Sequence, residues 1–238
     1  MATLSDLRVK VFADGADKEG IALLAQNPII TGFTTNPTLM RAAGVGDYER
    51  FAHEVLPCVG NRPISFEVFA DDFDEMVCQA RKVATWGDQV YVKIPITDTN
   101  GTSSEGVLRT LAAEGTKLNV TAILTLDQVR TAAACLAGAE ACFVSVFAGR
   151  IADTGCDPVP VMREAVEILS PHTNLQLIWA SPREILNIVQ ADSIGCHVIT
   201  VTHDMLKKLP LLGCDLTQVS LDTVRMFHRD AVAAGFAL

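Results

Sequence analysis

No run of about 18 apolar residues, the length a helix needs to cross a bilayer, occurs anywhere in the 238 residues. Met1 to Lys10 carries Asp6 and lacks an apolar core segment, so neither an export signal nor a membrane partner is expected, and the chain reads as soluble and cytoplasmic. Blocks of Lys or Arg are missing too. With 19 basic against 28 acidic residues the net charge is −9, which excludes long-range attraction to nucleic acid or to an anionic membrane. Any anionic ligand must be met by a few local cations.

Pairing motifs are equally scarce. Cys58, Cys78, Cys135, Cys142, Cys156, Cys196 and Cys214 are odd in number and scattered, with no C-x-x-C pair, as expected of reduced thiols in a cytosol. His53, His172, His197, His203 and His228 show no H-x-H or H-E-x-x-H spacing, so no metal site is expected. Gly44-Val45-Gly46 is too short for a dinucleotide fingerprint and no G-x-x-x-x-G-K-[ST] occurs, so nucleotide binding is unsupported. The run Asp71-Asp72-Phe73-Asp74-Glu75 reads as the acidic start of a helix, offsetting the positive end of its dipole, and not as a metal motif.

What is present is a folded globule. The composition is 49% hydrophobic and 20% charged, without a Pro/Gly/Ser-rich linker or a low-complexity block. A length close to the roughly 250 residues of one (β/α)8 barrel makes a single domain over residues 1–238 the expectation. Short β-branched or aromatic segments alternate with longer amphipathic ones, the pattern of parallel strands joined by crossover helices. Strands are expected at Val9–Ala13, Ile30–Thr34, Ile64–Val68, Gln89–Ile94, Lys117–Ile123, Cys142–Val146, Leu175–Trp179 and His197–Val201. Helical periodicity or helix starts occur at Lys18–Gln26, Asp72–Trp86, Leu126–Ala137, Pro158–Leu169 and Pro182–Val189, with Asp71 and Asp157 as N-caps. A further helix, about Leu221 to Ala233, follows the eighth unit.

A doubly wound open sheet uses similar units, so periodicity separates the two architectures weakly. In a barrel, however, functional residues gather at the C-terminal ends of the strands. Strand after strand does this here. The first ends in Asp14, the second runs into Thr34-Thr35-Asn36-Pro37, the third contains Glu67, and the fourth ends at Lys93. Asn119 and Thr121 lie in the fifth, Ser145 ends the sixth ahead of Arg150, and the seventh leads through Ser181 to Arg183. Two carboxylates, one lysine and two arginines distributed in this way suit conversion of a phosphorylated carbonyl compound. Lys93 sits in the apolar frame Val90-Tyr91-Val92-Lys93-Ile94-Pro95, and an apolar setting opposes the ammonium and favours a neutral, nucleophilic amine. Imine chemistry needs several proton transfers, so two carboxylates in different surroundings, Asp14 and Glu67, suit different steps.

The ordered set Asp14, Thr34-Thr35-Asn36-Pro37-Thr38, Glu67, Val92-Lys93-Ile94-Pro95, Asn119-Val120-Thr121, Ser145-Val146-Phe147-Ala148-Gly149-Arg150-Ile151 and Ala180-Ser181-Pro182-Arg183 resembles the transaldolase family over nearly the whole chain. The resemblance implies transfer of a dihydroxyacetone unit from a ketose phosphate (fructose 6-phosphate or sedoheptulose 7-phosphate) to an aldose phosphate, in the pentose phosphate pathway, without metal or organic cofactor. It implies Lys93 as the imine-forming lysine, Asp14 as the acid/base at carbon–carbon cleavage, and Glu67 as a proton shuttle through a water held by Thr121. Asn36, Asn119 and Ser145 would bind sugar hydroxyls, and Arg150 and Arg183 the phosphate. Thr35, Phe147 and Ser181 would complete the substrate-binding set.

Val146 and Pro182 depart from the Pro and Phe that many transaldolases carry there, which bears on acceptor preference. Two other readings are a fructose-6-phosphate aldolase-like enzyme and a catalytically silent sugar-phosphate-binding barrel. In the aldolases a Gln and a Tyr commonly occupy the places of Glu67 and Phe147, so this chain matches the transferase pattern at both. A homo-oligomer is also expected, because Val224, Phe227, Val232 and Phe236 offer apolar surface beyond the barrel.

Overall fold

The computed structural model describes residues 6–236. Eight parallel strands close into a barrel in sequence order: β1 (Lys10–Asp14), β2 (Ile30–Thr34), β3 (Ile64–Glu67), β4 (Val90–Pro95), β5 (Leu118–Ile123), β6 (Cys142–Val146), β7 (Leu175–Trp179) and β8 (Val198–Thr202). Each differs from its sequence expectation by no more than one residue at either end. The closing pair is β1 against β8, with Asp14 opposite Thr202. This closure excludes the open doubly wound sheet.

The helices packed outside the strands are α1 (Lys18–Leu24), α2 (Pro37–Ala42), α3 (Tyr48–Val59), α4 (Phe73–Ala84), α5 (Glu105–Ala113), α6 (Leu126–Leu136), α7 (Ala148–Asp153), α8 (Pro158–Leu169), α9 (Leu186–Ser193) and α10 (His203–Leu206). A longer helix, α11 (Leu216–Ala234), follows them. Five of these, α2, α3, α5, α7 and α10, had no counterpart in the sequence reading. Helix α2 does carry a legible start, since Asn36 accepts from the Leu39 amide and Pro37 takes the first position. Helix α3 holds Pro57, which obscures its period, and the cap of α5, Ser104, makes no side-chain bond.

Two local expectations are corrected. The N-cap of α4 is Asp72, accepting from the Glu75 amide, while Asp71 accepts from the backbone and hydroxyl of Thr99. Helix α9 begins at Leu186 and not at Pro182, because Asn187 Oδ1 takes the amides of Arg183 and Glu184 and holds 182–185 as a separate turn. Asp157 caps α8 as expected.

A small apolar layer inside the barrel forms the floor of what lies above it. Phe12, Phe143, Ile178, Ala180 and Val198 pack there with Tyr91 and Phe147, and the Phe12 and Phe143 rings meet edge to face at 5.5 Å. Gly32 makes room for this floor, since a Cβ on it would come within 2.5 Å of the Phe12 ring. The larger core lies between strands and helices, where β-branched and aliphatic side chains of both are buried. Each fully buried aliphatic or aromatic side chain there contributes about 1.5–3 kcal/mol. By contrast α11 contains no buried residue, and Leu216, Val224, Phe227 and Val232 are all exposed on it. No helix among the described residues is long and apolar enough to cross a membrane.

Candidate active site

Strand register brings the expected residues together at one end of the barrel. Glu67 of β3 pairs with Lys93 of β4, and Lys93 with Asn119 of β5, so three polar residues stand side by side on adjacent strands. On the other side Asp14 pairs with Thr34 of β2 and Thr202 of β8. They surround a cavity of about 510 Å³ whose walls include Asp14, Asn36, Glu67, Lys93, Thr121, Ser145, Phe147, Arg150, Ser181 and Arg183. Ten of the twelve site residues expected from sequence therefore line one cavity.

Lys93 is 5% exposed. Its Nζ lies 2.9 Å from Glu67 Oε2 and donates to the Thr35 carbonyl at 2.9 Å. A buried amine held by a carboxylate and a carbonyl points in one direction and has an immediate partner for its proton. Asp14 has a different setting. It accepts from the Thr34 hydroxyl at 2.7 Å, and that hydroxyl also meets the Thr200 hydroxyl of β8. Burial pushes the Asp14 carboxyl above the usual carboxylate range, against the opposing pull of Lys93. One carboxylate is thus ion-paired and the other, raised by burial, binds a proton more readily than an ordinary carboxylate, two different settings of the kind that acid/base chemistry uses.

Thr35 and Asn119, the other two of the twelve, are fully buried behind the cavity wall. Thr35 donates its hydroxyl to the Ser65 carbonyl, while its own carbonyl receives Lys93. Asn119 donates to Ser65 Oγ at 2.9 Å and accepts from Ser145 Oγ at 2.7 Å, so it presents Ser145 to the cavity and does not reach it itself. The Thr121 hydroxyl borders the cavity, buried and without a hydrogen-bond partner among the described residues, a cost that a water or substrate hydroxyl would relieve.

Several contributors escaped the sequence reading. Tyr48 of α3 accepts from the Glu67 amide at 2.8 Å and donates to the Glu67 carbonyl at 2.9 Å, clamping the backbone beneath that carboxylate. Nothing in the local pattern marks a tyrosine 19 residues upstream as a support for Glu67. Ser65 and Thr200 were passed over because small hydroxyl residues in strands carry no distinctive signal. Asn36 was expected from the sequence, but its second role, capping α2 through Oδ1, fixes its side chain at the cavity edge.

At the rim, Arg150 of α7 stacks its guanidinium over the Phe147 ring at 5.4 Å and makes no ion pair among the described residues. Arg183 donates through Nη1 to the Ser181 carbonyl and hydroxyl, and through Nε to Asp153 at 2.9 Å. Ser181 itself has φ 60°, and Gly149 packs so closely beneath it that a Cβ would fall 1.5 Å from the Ser181 carbonyl oxygen. This contact draws α7 and the β7 loop together and places both arginines on one side of the cavity. Val146 is fully buried and Pro182 borders the cavity between Ser181 and Arg183. Among the described residues no group of three His, Cys, Asp or Glu could hold a metal ion.

The model of the family described as transaldolase/fructose-6-phosphate aldolase matches residues 11–238. A protein named "Probable transaldolase" from Clostridium acetobutylicum is 33% identical over 227 residues, covering 93% of this chain and 100% of that protein. A "Probable transaldolase" from Dehalococcoides mccartyi is 33% identical over 204 residues, covering 84% of this chain and 90% of the relative. A "Probable transaldolase 2" from Listeria monocytogenes is 34% identical over 204 residues, covering 84% and 88%. Among solved structures, an N-acetylmannosamine-6-phosphate 2-epimerase from Clostridium perfringens superposes with a TM-score of 0.55 at 15% identity, covering 85% of this chain and 90% of that one. At that identity the likeness concerns the fold alone.

Proposed function

The chain belongs to the transaldolase/fructose-6-phosphate aldolase family, and from that premise we propose that it is a transaldolase, moving a dihydroxyacetone unit between sugar phosphates through an imine on Lys93. The observation that carries this reading is the buried Lys93 amine, held between Glu67 and the Thr35 carbonyl across the cavity from Asp14. Once Lys93 has passed its proton to Glu67, the amine attacks the ketose carbonyl to give a carbinolamine, and loss of water gives the imine. Glu67, in contact with Nζ, moves the protons of these two steps, with Thr121 offering a hydroxyl beside it. The imine then draws electrons toward nitrogen. Asp14 takes the proton of the hydroxyl on the far side of the breaking bond, the aldose phosphate leaves, and the enamine that remains attacks an acceptor aldehyde. Hydrolysis of the new imine frees Lys93. Ser145 and Asn36 would hold sugar hydroxyls, and Arg150 and Arg183 the phosphate, a reading supported by all four lining the cavity.

Phe147 supports transfer over simple aldol cleavage. A ring without a hydroxyl at the cavity wall cannot supply the proton that would release the three-carbon unit, so the enamine waits for an aldehyde. Fructose 6-phosphate alone should therefore be cleaved slowly, and erythrose 4-phosphate should greatly speed formation of glyceraldehyde 3-phosphate. Phe147→Tyr should raise acceptor-free cleavage. Equal rates with and without acceptor, with free dihydroxyacetone accumulating in both, would assign the chain to the aldolase instead.

Phosphate recognition yields a second expectation. Replacing Arg150 or Arg183 by Ala should raise KM for phosphorylated donors, each charge-assisted contact contributing about 1.5–3 kcal/mol, with little effect on unphosphorylated ones. An unchanged KM in both variants removes them from the site. We further propose a cytoplasmic homo-oligomer, because α11 leaves Leu216, Val224, Phe227 and Val232 exposed and buries no residue. Light scattering should give a multiple of 25.5 kDa, and Phe227→Asp should shift the protein toward the monomer. A wild-type protein that scatters as a monomer rejects this.

A further inference from the structure

Arg183 has every nitrogen of its guanidinium in use. Nη1 donates to both oxygens of Ser181, while Nε and Nη2 form a two-point contact with the two carboxylate oxygens of Asp153 at the end of α7. Arg150, one turn before Asp153 on the same helix, has no such partner among the described residues. The face of Arg183 that would grip a phosphate is thus already occupied by a carboxylate belonging to the protein. The planar fork suits either anion equally in shape, so charge and strength decide which one it holds.

Asp153 and Arg183 are both about half exposed, and such an ion pair contributes little. A dianionic phosphate, reaching Arg150 at the same time, offers the fork a stronger partner than a single carboxylate does. A monoanion offers nothing that Asp153 does not already supply. Resting on the assignment of Arg150 and Arg183 to the substrate phosphate, we infer that Asp153 is a specificity-determining residue, an internal competitor that yields Arg183 to dianionic phosphate and withholds it from monoanions. The charged groups facing Asp153 are Arg183 and Arg150. The hydrogen bonds from Arg183, then its charge and last that of Arg150, hold the Asp153 carboxyl below the usual range, so it competes as an anion throughout the neutral region.

Titration calorimetry with inorganic phosphate tests this without recourse to turnover. Asp153→Asn keeps a side-chain oxygen for Nε but removes the charge, and should tighten phosphate binding about tenfold, roughly one charge-assisted contact. Wild-type affinity should climb steeply as phosphate passes from monoanion to dianion, and the variant should climb less, because it accepts the monoanion too. In an Arg183→Ala background Asp153→Asn should tighten binding far less, leaving only the relief of the carboxylate's charge repulsion and of its pull on Arg150. Binding that is unchanged or weaker in Asp153→Asn, or tightened equally without Arg183, overturns the proposal, and Asp153→Ser should repeat whichever result is obtained. If neither Arg150→Ala nor Arg183→Ala weakens phosphate binding, the placement of the phosphate itself has failed, a result distinct from failure of Asp153→Asn alone.

Discussion

Borohydride reduction in the presence of fructose 6-phosphate is expected to fix a three-carbon adduct on Lys93, and Lys93→Ala is expected to abolish transfer. The nucleophile cannot be replaced by binding or positioning, and loss of such a group costs about 10⁴-fold or more in turnover. Lys93 is also buried beside Glu67, so its removal leaves that carboxylate without its ion-pair partner in a partly enclosed site. Circular dichroism of the variant separates lost chemistry from lost fold. Lys93→Met, which matches the aliphatic stem and leaves the charge out, gives a second folded reference. Intact-mass and peptide analysis after reduction should show the adduct on Lys93 and on none of the other lysines. Turnover with an unmodified Lys93 would sink the imine mechanism, and phosphate binding without adduct or product would favour the silent sugar-phosphate-binding barrel.

Asp14→Asn should separate function from stability. As the group that takes and returns the proton at carbon–carbon cleavage, its loss should lower kcat about 10²–10⁴-fold, while imine formation on Lys93 still proceeds and the adduct can still be trapped. The same change should make the protein more heat-resistant at neutral pH. Burial raises the Asp14 carboxyl above its unfolded value, so the folded state holds the proton more tightly than the unfolded state does. As pH rises from the unfolded value through the folded one, the unfolded chain ionises first and wild-type stability falls. Asparagine has no charge to desolvate and keeps a partner for the Thr34 hydroxyl. Thermal melts should place the variant above wild type at neutral and alkaline pH, by about 2–4 °C for each kcal/mol regained in a chain of this size. The gap should close in acid, where both states of the wild-type carboxyl are protonated. A variant less stable than wild type at pH 8, or an adduct lost along with turnover, would contradict the assigned role.

The strands were legible because a parallel barrel buries both faces of each one, and β-branched runs such as Val90–Ile94 or Cys142–Val146 report that burial directly. The site residues were legible for a related reason. A lysine, a glutamate or an asparagine inside such a run is costly unless it has a use, so Lys93, Glu67 and Asn119 stood out, and their order along the chain carried the family resemblance. Sequence also anticipated the capping of α8 by Asp157, a contact between residues two apart. Short amphipathic pieces such as α2, α7 and α10 were missed because four to six residues hold too little of a helical period to be recognised.

Only the tertiary structure decided what touches what. Pairing of β3 with β4 and β4 with β5 made neighbours of Glu67, Lys93 and Asn119, which lie 26 residues apart in each step. It also buried Asn119 and Thr35 behind the wall, where they bond to Ser65, Ser145 and Lys93. The clamp of Tyr48 on Glu67 and the grip of Asp153 on Arg183 join residues on different β/α units, and no local propensity encodes a contact that barrel closure creates. Sequence by itself determined the eight strands, the closed architecture's repeating unit and the identity of the chemical groups. The packing of those units determined their partners, their burial and so their acid–base character, since desolvation and ion pairing depend on neighbours that only folding brings near.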